Sequence, residues 1–204
     1  MAIHLTRIYT RTGDHGRTRN ARNQEISKTS PQLAAYAAVE ELNCALGLVP
    51  TRTPLLTRLQ QELFDLGSVI AGTPQSLDPA TITHLEQRID ALSSTLPPLS
   101  SFILPGGTPD AAHLHQARVT ARAAERALWA YVETLRAEEE AVDKETKESK
   151  EKEQFKDLLL AGQYLNRISD LLFVLAREAN DNGKAEILWI PADKRKDAEQ
   201  SSED

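Results

Sequence analysis

Apolar residues recur along most of this chain at steps of three and four, the period of an α-helix with one buried face. Ala35, Val39, Leu42, Leu46 and Val49 form the first stripe. Ser30-Pro31 ahead of it reads as an N-cap followed by proline at the first helical position. Pro50 and Pro54 stop the run, which predicts a helix over about 31–49. Leu55, Leu59, Leu63, Leu66 and Ile70 predict a second over 54–71, broken by Gly72-Thr73-Pro74, and Ile82, Leu85, Ile89 and Leu92 a third over 79–95. A fourth, over about 109–138, carries Leu114, Ala117, Ala121, Ala124, Leu128, Tyr131 and Leu135. This is a heptad seam rich in alanine, which lets a neighbouring helix approach closely. The fifth, over 158–179, has Leu165, Ile168, Leu172 and Leu175 on one stripe and is apolar around most of its circumference. It is therefore expected to be the most buried helix.

Between these runs the chain is polar or irregular. Residues 20–30 show no period. Residues 97–109, PPLSSFILPGGTP, hold four prolines and a Gly-Gly pair around apolar Phe102, Ile103 and Leu104. Such an insert caps the core or lines a ligand pocket, and on its own residues the cap is the simpler reading. Of the 20 residues from 138 to 157, 14 are charged. They read as an insertion without catalytic duty, either a solvated helical extension or a loop. Strand-like alternation is confined to Ile3–Tyr9 and Ile187–Ile190. The pattern predicts an all-α fold, a compact five-helix bundle in one domain over 1–190. Residues 1–30 form an N-terminal segment and 191–204 a polar tail.

Composition narrows the partners. With 204 residues, 40% of them hydrophobic, the chain suits one domain with a substantial core. A formal net charge of −6 argues against nucleic acid or an anionic membrane as partner, so any anion must be held by a local cluster of cations. The single cysteine, Cys44, makes no internal disulfide and reads as a packing residue. No apolar run is seen to approach the ~20 residues of a membrane span. The first residues lack a signal or transit pattern, so the cytoplasm is expected.

Three polar clusters stand against the apolar pattern. The first is Arg7–Thr18, RIYTRTGDHGRT. Its Gly13-Asp14-His15-Gly16 turn can aim backbone N–H groups at an anion, with Thr10, Thr12 and Thr18 supplying hydroxyls and Arg11 charge. It lacks the Walker A spacing, and taken alone it reads as readily as a surface turn. The second is Arg118, Arg122 and Arg126, spaced by four into one stripe with Glu125 beside it. It is either a solvated face or a phosphate grip with one arginine paired to a carboxylate such as Glu40, since the planar guanidinium binds two oxygens at once. The third is Asn166, Asp170 and Arg177 on one side of the fifth helix. Asn166 offers a donor and an acceptor, fit for a nucleoside or for a hydrogen bond within the bundle. No glutamate has a histidine three residues later, which excludes the di-iron bundle motif, and G-x-S-x-G is absent. No metal ligand set is expected from the protein, and no covalent catalysis. An enzyme built this way would rely on positioning and a reactive substrate.

RIYTRTGDHGRT, AYAAVEELNCALG, SFILPGGTPDAAHLHQARVTARAAER and YLNRISDLLFVLAREAN together resemble the PduO-type ATP:corrinoid (cob(I)alamin) adenosyltransferases, from about residue 6 to 190. The resemblance implies a homotrimer with sites between subunits. The Co(I) of a reduced corrinoid attacks the 5′ carbon of ATP, giving adenosylcobalamin and triphosphate. It implies that Thr10, Arg11, Thr12, Gly13, Asp14, Gly16 and Thr18, with Lys28, wrap the triphosphate and its Mg²⁺. Arg122 holds phosphate, Arg118 pairs with Glu40 across the subunit interface, and Glu125 and Arg126 complete that motif. Asn166 contacts the nucleoside, and Phe102 lines the corrin pocket, easing loss of the lower axial ligand. A corrinoid reductase and an adenosylcobalamin-dependent enzyme are the implied partners. The chain departs from the family pattern at Arg11, Arg17, residues 19–22, Glu40 and Ala123. A trimeric ATP- or cobalamin-binding carrier or sensor with weak catalysis is the alternative.

Overall fold

The computed structural model describes residues 9, 11–140 and 149–195. Five long helices dominate: α1 (Pro31–Gly47), α2 (Pro54–Ala71), α3 (Ala80–Ser93), α4 (Pro109–Glu140) and α5 (Ser149–Ala179). A small antiparallel hairpin precedes them, β1 (Arg17–Arg19) with β2 (Glu25–Ser27), in the register Thr18 opposite Ile26. Part of the hairpin falls in residues 20–30, where no period is visible, because strands of three residues show no measurable alternation.

Three helices start with the same device. Ser30 Oγ accepts from Leu33 N–H at 3.3 Å, Thr53 Oγ1 from Leu56 N–H at 3.1 Å and Thr108 Oγ1 from Ala111 N–H at 3.2 Å. Each capping hydroxyl is followed by a proline whose missing N–H is no loss at the first helical position. Gly72 closes α2 at φ +89°, a left-handed C-cap.

α1 packs on α2 and α4, α4 on α5, and α5 on α2, so four helices close a ring, while α3 lies chiefly against α5. The alanine seam behaves as its spacing predicts. Ala117, Ala121, Ala124 and Leu128 are fully buried. α4 and α5 come so close that a Cβ on Gly162 would meet the Trp129 ring at 2.7 Å. α5 is the core helix, with Leu158, Leu165, Ile168, Leu171 and Leu172 fully buried. By length and composition alone Phe155–Ala179 could cross a membrane, contrary to the expectation that no run approaches that length. Here its apolar surface is spent on the other helices.

Other differences have local causes. α5 begins nine residues before the predicted start, because residues 149–157 are helical without an apolar stripe. Both flanks of the charged insertion are thus helical extensions, and residues 141–148 lie outside the described residues. Cys44 is exposed rather than packed. Asn43 beside it is buried instead, its amide donating to Gln60 O at 2.9 Å while the Gln60 amide donates to Asn43 O at 3.1 Å. That exchange fastens α1 to α2.

Candidate active site

At one end of the bundle the opening segment folds onto the start of α1. Gly16 sits at φ +75° and Arg11 at φ +62°, and the Gly16 N–H faces Gly13 O at 3.4 Å. Lys28 anchors the turn, its N–H donating to Gly16 O at 2.9 Å. Its ammonium lies over Gly13, where a Cβ would come within 2.8 Å of Nζ. The Lys28 cation is thus packed directly against the backbone of the turn. Arg11 rests on the Tyr9 ring at 5.5 Å. Thr12 and Asp14 are exposed, Thr18 is half-buried in β1, and Thr10 lies outside the described residues. Arg17 is engaged by Glu25 across the hairpin. The segment is tied down by Ala21 N–H to Ala71 O at 3.2 Å and Arg22 Nε to Gly72 O at 3.2 Å.

The arginine stripe runs along the middle of α4. Arg122 and Arg126 are exposed and Arg118 half-buried, and among the described residues none of the three forms an ion pair. Arg118 packs over the Phe173 ring at 5.9 Å, and its buried Nε has no hydrogen-bond partner among the described residues. Burial, and then the Arg122 charge, lowers its pKa. Glu40 is exposed on α1 and makes no ion pair among the described residues. Three cations in a row without a counter-charge repel one another until an anion arrives.

Glu125 is not their counterion by contact. Its Oε1 accepts from Asn166 Nδ2 at 3.3 Å and from Trp129 Nε1 at 3.4 Å. Asn166 Oδ1 accepts from Arg167 Nη1 at 2.7 Å, and Arg167 Nε donates to Glu86 at 2.8 Å. Asp170 is exposed, while Arg177 belongs elsewhere. It donates to Glu186 from Nε at 2.8 Å and Nη2 at 3.2 Å, and to Pro97 O at 2.8 Å, with both side chains of the pair under 10% exposed.

That buried pair fixes the loop that carries Phe102. Residues 102–104 pair antiparallel with 187–189: Trp189 N–H donates to Phe102 O at 2.7 Å and Leu104 N–H to Ile187 O at 2.8 Å. Asn180 clamps the loop's other end, donating to Gly106 O at 3.0 Å and accepting from Thr108 N–H at 3.0 Å. Phe102 does not cap the core. It is 79% exposed and meets the Trp189 ring edge-on at 6.2 Å. Leu104, Ile187 and Trp189 are exposed beside it, an apolar platform at the surface. His115 is 3% exposed, against Phe173 at 6.3 Å, and among the described residues neither ring nitrogen has a hydrogen-bond partner.

Within one chain these parts do not all meet. The platform sits by Thr108 and Asn180, the opening segment by Gly72 and Tyr131, on which Arg22 acts. At about 1.5 Å of rise per residue, Thr108 and Tyr131 are roughly 35 Å apart along α4. The arginine stripe lies between.

Residues 8–179 match the family described as Cobalamin adenosyltransferase. The chain belongs to this family. It is 39% identical over 210 residues to a corrinoid adenosyltransferase of Mycobacterium tuberculosis, covering 96% of this chain and 98% of the relative. It is 32% identical to one from Bacillus subtilis over 85% and 86% of the two chains. Among solved structures, a phenylalanine-to-histidine variant of a PduO-type ATP:corrinoid adenosyltransferase from Lactobacillus reuteri, complexed with cobalamin and ATP, superposes with a TM-score of 0.72. It is 31% identical and covers 90% of this chain and 96% of that one. An arginine-to-lysine variant of that enzyme, complexed with ATP, gives a TM-score of 0.71. For this adenosyltransferase family member, reading along the chain missed Trp129, Arg167, Glu86, Phe173 and Trp189. Only Trp189, inside the apolar ILWI stretch, carried a local signal.

Proposed function

We propose that this chain transfers the 5′-deoxyadenosyl group of ATP to the Co(I) centre of a reduced corrinoid. A cobalt–carbon bond forms, the C5′–O bond breaks, and triphosphate leaves with the bonding electron pair. The observation that supports this best is the pairing, on one chain, of a cationic helix face without internal counter-charge and a rigidly held, exposed aromatic platform.

The protein's part is binding and alignment. Arg122, the exposed centre of the stripe, grips phosphate. Lys28, Arg11 and the N–H groups of the 13–16 turn enclose the rest of the triphosphate and stabilise its charge as it leaves. Asn166 meets the nucleoside, with Glu125 orienting it. Arg126 adds positive field at the rim. Phe102 and its apolar neighbours take one face of the corrin and offer cobalt no ligand there. Mg²⁺ binds through phosphate oxygens and water with few protein ligands, and Asp14 is the one carboxylate of the turn that could join it. Among the described residues no group of three His, Cys, Asp or Glu forms a metal site.

The separation of turn and platform favours a site shared between copies. In a homotrimer, the turn of one subunit would close over the arginine stripe and platform of the next, and Glu40 would reach Arg118 of its neighbour. That contact would give the Arg118 guanidinium a carboxylate partner through its accessible nitrogens. We place the trimer in the cytoplasm, supplied by a corrinoid reductase and delivering to an adenosylcobalamin-dependent enzyme.

The test is anaerobic mixing of the protein, Mg-ATP and chemically reduced cobalamin, following the spectrum of adenosylcobalamin. Product from wild type, and ATP affinity lowered by about 1.5–3 kcal/mol in Arg122→Ala, is the expected result. Tight ATP binding with no product would leave a carrier or sensor instead.

A further inference from the structure

Asn166 is held from both ends by partners of opposite chemistry. Arg167 can only donate and takes Oδ1 at 2.7 Å, whereas Glu125, as a carboxylate, can only accept and takes Nδ2 at 3.3 Å. The amide is thereby locked: turning it over would set N–H against a guanidinium and oxygen against a carboxylate. What remains is one N–H donor and one carbonyl lone pair in a fixed orientation. Arg167 is itself fixed by Glu86 of α3 at 2.8 Å. α3 touches the bundle chiefly through α5. This bond gives it a line to the middle of the α4–α5 groove, close to the arginine stripe.

We propose that Arg167, fastened by Glu86, is a positioning residue that sets the Asn166 amide so that it reads the nucleoside of ATP with one fixed donor and one fixed acceptor. This rests on the assignment of Asn166 to the nucleoside. The Arg167–Glu86 pair is about 40% exposed, and such pairs add little to folding stability. An effect on ATP recognition is therefore separable from an effect on the fold. Lysine replaces the arginine only in part, because a single ammonium lacks the planar fork that spans Glu86 and Asn166 together.

The experiment measures ATP affinity by calorimetry, and KM for ATP against kcat, in Asn166→Ala, Arg167→Met, Arg167→Lys, Glu86→Gln and the Asn166→Ala/Arg167→Met double variant, with melting temperatures alongside. Arg167→Met is expected to weaken ATP about 3- to 10-fold, the scale of one hydrogen bond, raising KM more than it lowers kcat. Glu86→Gln should act in the same direction and more weakly, and Arg167→Lys should recover only part. On the Asn166→Ala background Arg167→Met should add nothing. An undiminished Arg167→Met effect on that background, or a fall in melting temperature with KM unchanged, overturns the inference while leaving Asn166 in the site. Unaltered ATP binding in Asn166→Ala alone overturns the underlying assignment instead. If Arg167→Met does not fold, the coupling is read from Arg167→Lys and Glu86→Gln on the same background, with the same two outcomes.

Discussion

Phe102 carries its ring into solvent, so removing it takes almost nothing from the core. Phe102→Ala should leave the melting temperature within a degree or two, since surface changes stay within about 0.5 kcal/mol, while adenosylation falls sharply. A large loss of stability with normal turnover would return the residue to the core. His115 is the opposite case. Burial, then the Arg118 charge, lowers its pKa from 6.5, opposed by Glu186, which Arg177 already holds. Below pH 6.5 the unfolded chain takes up a proton that the folded chain resists, so stability falls as the pH drops from there toward the lowered value. Between about pH 7 and about pH 5.5 the melting temperature should decline more steeply in wild type than in His115→Gln. Equal slopes would remove His115 from the acid response. Neither placement was legible beforehand: an apolar triplet in a loop and a histidine two residues from another look alike, buried or exposed, until the partner segment is known.

At the scale of elements, the five helices were legible because each buries one stripe at the period its spacing gives. What was not legible is pairing between distant segments. The 102–104 and 187–189 stretches are each too short to announce a strand, and Glu125 and Asn166 lie on different helices. Arg177 on α5 looked like a third member of a polar cluster with Asn166. Its partner Glu186 sits past the helix end, out of reach of any periodicity. Arg177→Met should cost about 3–5 kcal/mol in urea unfolding, because it leaves Glu186 buried and unpaired. Arg177→Met combined with Glu186→Leu should recover most of that. If the double variant is as unstable as the single, the cost is lost packing rather than a stranded charge.

For the whole molecule, the separation of turn and platform makes a prediction about assembly. Lys28→Ala and Phe102→Ala are expected to be weakly active apart. Mixed and reassembled they should regain activity, because a site taking its turn from one subunit and its platform from another can be free of both defects. No recovery from verified mixed oligomers would mean that a single chain supplies both. The buried Arg177–Glu186 pair has a further consequence, for the order in which the molecule is made. The ribosome delivers Phe102 long before Glu186 and the strip from Ile187 to Trp189 that hold its loop. A nascent chain therefore extends through α4 and α5 before the strip that holds the Phe102 loop exists. The exposed aromatic surface takes shape only once residues 187–189 have followed, after all five helices have been synthesised.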